Sequence, residues 1–200
     1  PLCARLRDRF ASFRHLDSGG GYGIPYRPEQ APFDLAAFAA AVVPRLKATG
    51  LRAGIEPGRY ITGNAGILLT TVQYVKENPF RKFLIVDAAM NDLIRPPLYQ
   101  AHHEIQAVRE TSATVFGDVV GPVCESGDFL AQERTLPAVA AGGLLAVMSA
   151  GAYGMVMASN YNSRGRAAEE LVGGTRSAVV RERETWDDLV RGESIPEWLG

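Results

Sequence analysis

At 200 residues, with 46% hydrophobic and 22% charged residues and a formal net charge of -1, the chain has apolar material for a real core and no charge excess. That balance gives no electrostatic basis for binding nucleic acid or an anionic membrane, and no apolar run reaches membrane-spanning length. The opening Pro1-Leu2-Cys3-Ala4-Arg5 lacks a signal-peptide apolar region, so a cytoplasmic protein is expected, and the distant Cys3 and Cys124 read neither as a disulfide nor as metal ligands.

A start at Pro1, directly inside a helical pattern, reads as a fragment or a processed product. Leu2, Leu6, Phe10 and Phe13 recur at helical spacing with arginines opposite, so a helix is expected over residues 2–13. His15-Leu16-Asp17-Ser18 reads as a short strand running into Gly19-Gly20-Gly21-Tyr22-Gly23. Consecutive glycines let backbone amides point into one concavity suited to a phosphate; they also make a flexible loop, and the run alone fits both. Leu35, Phe38, Val42 and Leu46 predict a helix over residues 33–49, stopped at Gly50, with a kink or restart at Pro44. Leu51 to Ile55 is the next strand, ending in Glu56-Pro57-Gly58-Arg59, a turn that sets a carboxylate and a guanidinium at a strand end. Strand, helix and strand with polar residues at the strand ends look like the last units of a βα barrel, whose other strands would precede Pro1.

After Tyr60 the texture changes. Strands are expected over residues 67–76, 81–88, 103–108, either 111–116 or 114–119, and 144–148. Gly173-Gly174 signals a hairpin between residues 170–172 and 176–183, and Thr185 caps a final helix over residues 185–192. The fold class is therefore α/β plus all-β: residues 1–60 form the end of a TIM-like barrel, and residues 61–200 form a β-barrel or sandwich, whose last helices stay with it or return to the barrel.

Several clusters here could carry chemistry. The stretch from Met90 to Tyr99 reads as a loop presenting Arg95 and Tyr99 beside prolines, a pair able to bind a carboxylate or simply to be solvated. Cys124 beside Glu125, in a loop bounded by Gly121-Pro122 and Gly127, reads as a proton donor or as a small buried hydrophobe. Small residues surround Tyr153 in Ser149-Ala150-Gly151-Ala152-Tyr153-Gly154, and Asn160 to Arg164 reads as structural. Adjacent His102 and His103 would point to opposite faces of a strand, so they read as structural rather than metal-binding, as does His15; Trp186 and Trp198 read as packing residues.

Together LDSGGGYGIPY (16–26), IEPGRYITGNAG (55–66), VDAAMNDLIRPPLY (86–99), GPVCESGD (121–128), GAYG (151–154) and NYNSR (160–164) resemble the diaminopimelate decarboxylase family, among the alanine racemase-like, fold-type III pyridoxal phosphate enzymes. The resemblance implies that Gly19, Gly20, Gly21, Gly58 and Arg59 cradle the cofactor phosphate and that Glu56 pairs with the pyridine nitrogen. It implies that Arg59, Arg95 and Tyr99 hold the distal carboxylate of an amino acid substrate, that Glu125 binds its distal ammonium, and that Tyr153 touches both molecules. Cys124 would reprotonate the decarboxylated carbon, with Cys124 and Glu125 coming from the neighbouring subunit of a homodimer.

The lysines are Lys47, Lys76 and Lys82, and none stands where the resemblance places the cofactor-bound lysine, in an early barrel strand. The chain by itself is therefore expected to be inactive. The alternatives are a decarboxylase of ornithine, arginine or carboxynorspermidine, which the Cys124-Glu125 pair and Arg95 argue against, and a non-catalytic remnant that keeps the β module.

Overall fold

The computed structural model describes residues 2–199. Helix α1 (Leu2–Arg9) is shorter than its apolar spacing predicts, since the chain leaves the helix before Phe10 and turns into β1 (His15–Asp17). Asp34 caps α2 (Leu35–Thr49) by accepting the Ala37 backbone N–H, and Gly50, in the left-handed region at φ 70°, ends it. Pro44 does not divide this helix. β2 (Arg52–Gly54) returns parallel to β1, which gives the strand, helix, strand unit read from the sequence.

Residues 58–62 then form a short helix, α3 (Gly58–Thr62), not expected from the sequence, and a turn of 3-10 helix follows. Beyond it lies a mixed six-stranded sheet. Its strands are β3 (Leu68–Glu77), β4 (Lys82–Val86), β5 (Ile105–Ala107), β6 (Thr114–Val120), β7 (Phe129–Pro137) and β8 (Leu144–Val147), in the order β5-β8-β3-β4-β6-β7. All neighbouring pairs are antiparallel except β4 with β6. The second of the two registers considered for residues 111–119 is the one adopted.

The edge strands β5 and β7 approach each other, so the sheet curls towards a barrel. Arg134 on β7 stitches this seam by donating to the His103 carbonyl at 2.7 Å and to Glu104 Oε2 at 3.3 Å. Inside lies the core of Val72, Leu84, Val86, Leu93, Ile105, Val119, Leu130, Leu136, Leu145 and Val147.

The stretch read as a loop around Arg95 contains helix α4 (Arg95–Tyr99), because prolines at the first helical positions cost no hydrogen bond. Towards the C-terminus, β9 (Glu169–Gly173) and β10 (Arg176–Arg181) pair as the expected hairpin, with Gly174 at φ 64° in its turn. A capping box between Thr185 and Asp188 starts α5 (Trp186–Val190). Trp186 and Trp198 are not packed: among the described residues they are 74% and 80% exposed. Among the described residues no helix is long and apolar enough to cross a membrane.

Candidate active site

The ends of the parallel strands are sewn together. The Ser18 backbone N–H donates to the Gly54 carbonyl at 3.1 Å and that of Glu56 to the Gly19 carbonyl at 2.9 Å, which sets the glycine run beside Glu56. Gly19 and Gly21 hold φ of 73° and 94°, and a Cβ on Gly20 would lie 3.0 Å from the Glu56 carbonyl oxygen. Buried Tyr22 fixes the far side of the loop, its ring 5.7 Å from that of Phe33 and 5.2 Å from that of Phe38 on α2. The run is thus a held loop.

Tyr153 reaches the same place from the sheet side. The Ala150 and Gly151 backbone N–H groups donate to the Gly66 and Gly63 carbonyls at 2.8 and 3.1 Å, and Ser149 Oγ bonds Asn64 Oδ1 at 2.8 Å. This contact is close enough that a Cβ on Gly66 would lie 2.6 Å from Gly151 Cα. Ser149 and Tyr153 themselves sit at φ 58° and 60°, an uncommon backbone for non-glycine residues that the surrounding hydrogen bonds hold in place. The result is a 290 Å³ cavity lined by Gly20, Gly21, Tyr22, Gly23, Glu56, Arg59 and Tyr153. Arg59 carries the Tyr153 ring 5.2 Å from its guanidinium carbon.

Larger hollows of 430 and 510 Å³ lie at the β3–β4 turn and beside the N-terminal ends of β1 and β2. In the first, Arg81 is already neutralised by Asp118 and Glu133, at 3.1 and 2.7 Å.

Arg95 does not line the cavity; it lies behind Tyr26. The guanidinium carbons of Arg95 and Arg59 are 4.9 and 5.9 Å from the centre of the Tyr26 ring. Arg95 is only 5% exposed, and among the described residues it has no carboxylate partner and the buried Tyr26 hydroxyl has no hydrogen-bond partner. Two cations and an idle donor in one place make an environment for an anion.

Cys124, Glu125 and Tyr99 are exposed and do not line the cavity, so the structure does not bring them together with Glu56 and Arg59. The Cys124 loop is nonetheless built. Buried Asp128 accepts the backbone N–H groups of Met90 and Val123 at 2.7 and 2.6 Å, and Glu125 Oε2 accepts from the Tyr161 hydroxyl at 3.3 Å. The negative charge of Glu125 raises the pKa of Tyr161. The polar cluster at 160–164 is structural as read: Arg164 donates to the Asp87 carbonyl at 2.6 Å and to Asn91 Oδ1 at 3.0 Å.

Sequence reasoning assigned no site role to Tyr26 or Asp128 and gave His103 only a general structural one. Tyr26 and Asp128 each close one of the motifs, which was the available signal; nothing local marks His103.

The glycine run, the Glu56 carboxylate and the Arg59 guanidinium on one small concavity have the chemistry to hold a phosphorylated pyridine. Lys47, Lys76 and Lys82 line no part of it.

Comparison with known proteins agrees. The family model for the C-terminal sheet domain of pyridoxal-dependent decarboxylases matches residues 21–151. The chain is 54% identical to a diaminopimelate decarboxylase of Pseudomonas aeruginosa, over 97% of its own length and 46% of that protein's. It is 49% identical to the Aquifex aeolicus enzyme of the same name, over 94% and 45%. A crystal structure of diaminopimelate decarboxylase from M. jannaschii in complex with L-lysine superposes with a TM-score of 0.90 at 34% identity, covering 99% of this chain and 47% of that one. The chain thus spans about half the length of the curated relatives it matches.

Proposed function

Since the chain belongs to the pyridoxal-dependent decarboxylases, of whose C-terminal sheet domain it carries the matched part, we propose that it is the C-terminal half of an enzyme converting meso-2,6-diaminopimelate to L-lysine. The observation that carries this reading is the single cavity joining the glycine run, Glu56, Arg59 and Tyr153, with a buried arginine, Arg95, behind it that has no carboxylate partner among the described residues. Residues up to about 60 then belong to the cofactor-binding barrel and the remainder to the sheet domain. A cytoplasmic homodimer is part of the same reading.

In this reading Gly19, Gly20, Gly21, Gly58 and Arg59 hold the cofactor phosphate, and Glu56 keeps the pyridine nitrogen protonated. Bound there, pyridoxal phosphate supplies an electron sink for the pair left behind as carbon dioxide departs. The amine that carries it comes from outside this half of the protein, because no lysine of the chain reaches the cavity. Arg59, Arg95 and Tyr99 hold the substrate's distal carboxylate, Glu125 its distal ammonium, and Tyr153 orients substrate against cofactor. Cys124 gives its thiol proton to the carbon that has lost the carboxyl group. In the same reading Cys124 and Glu125 serve the site of a second subunit of the homodimer.

A dicarboxylic, diamino substrate needs cationic and anionic anchors together, which favours diaminopimelate over ornithine. Decarboxylation of meso-diaminopimelate and of ornithine by the full-length protein tests the reading. It expects lysine as product and little turnover of ornithine; the reverse preference overturns it. Borohydride treatment of the chain alone with pyridoxal phosphate is expected to leave Lys47, Lys76 and Lys82 unmodified at stoichiometric cofactor.

A further inference from the structure

His103 is fully buried just before β5, and it makes three contacts that converge on Arg95. Its Nδ1 lies 2.8 Å from the Met148 carbonyl oxygen, which can only accept, so Nδ1 carries the proton. Nε2 is thereby left as an acceptor, 2.9 Å from Arg95 Nη1. The imidazole and the Tyr26 ring meet edge to face, with centroids 5.5 Å apart and planes at 78°. Tyr26 is the same ring that takes the guanidinium groups of Arg95 and Arg59. The His103 backbone is pinned in turn by Arg134, whose Nη1 donates to its carbonyl.

We infer that His103 is the positioning residue for substrate-carboxylate recognition: it fixes Arg95 against Tyr26, so that the remaining guanidinium donors are held ready for the anion. An arginine has many rotamers, and holding one of them beforehand removes an ordering cost from binding. A carboxylate in place of His103 would also hold Arg95, but would cancel its charge and compete with the substrate. A neutral imidazole accepts from the guanidinium and leaves its positive charge unspent. Burial, followed by the Arg95 charge, holds the imidazole pKa down to about 4, consistent with the neutral form that the contacts require. Tyr26 is the second wall of the same device, and its idle hydroxyl sits in the anion's neighbourhood.

This inference rests on the substrate reading above, and the test separates the two. Wild type, His103→Leu, His103→Gln, Arg95→Ala and the His103→Leu/Arg95→Ala double variant of the full-length holoenzyme are assayed with meso-diaminopimelate. Their binding of glutarate, a dicarboxylate without amino groups, is measured by calorimetry.

His103→Leu is expected to raise KM and weaken glutarate binding roughly 10- to 100-fold, the size of a lost hydrogen bond to a charged group, with kcat within a few-fold. His103→Gln, which keeps an acceptor, recovers most of the loss. In the Arg95→Ala background His103→Leu adds little further, because the two residues act as one unit. Unchanged KM and glutarate affinity in His103→Leu, or losses that simply add in the double variant, overturn the inference. A wild type that binds glutarate but does not decarboxylate diaminopimelate overturns the substrate reading alone, with the glutarate arm still deciding on His103. A wild type that does neither overturns both.

Discussion

Asp128 reaches back across its own loop to accept the Val123 backbone N–H at 2.6 Å, one residue before Cys124. Its other carboxylate oxygen accepts from Met90 at 2.7 Å, so one buried side chain ties the cysteine loop to the segment that leads into α4. Burial raises its pKa, against the lowering effect of those two hydrogen bonds. Asp128→Ala strands two backbone donors and is expected to cost about 2–3 kcal/mol. In the full-length protein it should lower both Tm and kcat. A variant with wild-type Tm would mean that the loop is held by something else.

Cys124 is exposed, in a loop of fixed shape, and is assigned the proton that replaces the lost carboxyl group. Cys124→Ala should lower kcat roughly 10²- to 10⁴-fold, the range of a missing general acid, while KM for diaminopimelate changes little. Steady-state kinetics on the full-length enzyme check this. A proportionate rise in KM with unchanged kcat would make Cys124 a binding residue instead.

Local chemistry made much of this fold readable in advance. Asp34 and Gly50 bound α2, Thr185 caps α5, and Gly173-Gly174 turns the last hairpin, because each is decided by hydrogen bonds within a few residues. Strand β7 escaped because its alternation is broken: the register slips opposite Gly117 and Val119, and Glu133 takes a positive φ of 50°. The site was legible as motifs, but not as distances. Arg95 is visible in the sequence, whereas its acceptor His103 lies eight positions on and is oriented by Met148, 45 positions further, so no local pattern connects them.

The exposed tryptophans give a prediction about the isolated chain. Leu171, Val172, Val179, Val180, Trp186, Ile195 and Trp198 are all more than half exposed, a concentration of uncovered apolar side chains over the last thirty residues of the chain. The chain expressed alone should therefore self-associate, and acrylamide should quench Trp186 and Trp198 more strongly in it, at low concentration, than in the full-length protein. A monodisperse chain whose tryptophans are equally quenched in both would show that this surface needs no cover.

His103 gives the pH dependence its sign. Folding lowers its pKa from the usual 6.5 to about 4, through burial first and then the Arg95 charge, against the opposing Met148 hydrogen bond. The other charged or titratable groups facing it, Arg134 and His102, push the same way. Between pH 6.5 and about 4 the unfolded chain binds a proton at this position that the folded chain refuses. Stability therefore falls as pH falls through that window and levels off below it, by up to on the order of 3 kcal/mol for this one group. Glu184, held down to about 2 chiefly by Arg166, adds a separate loss that begins as pH falls through the usual carboxylate pKa of 4.5 and levels off below about 2. The two contributions separate by substitution. In the full-length protein, the Tm of wild type should drop faster between pH 7 and 4 than that of His103→Gln, which has no proton to take up, while the acid limbs below pH 4 run parallel. Identical slopes for the two proteins above pH 4 would show that folding leaves the His103 pKa at its unfolded value and that this residue contributes nothing to the acid sensitivity.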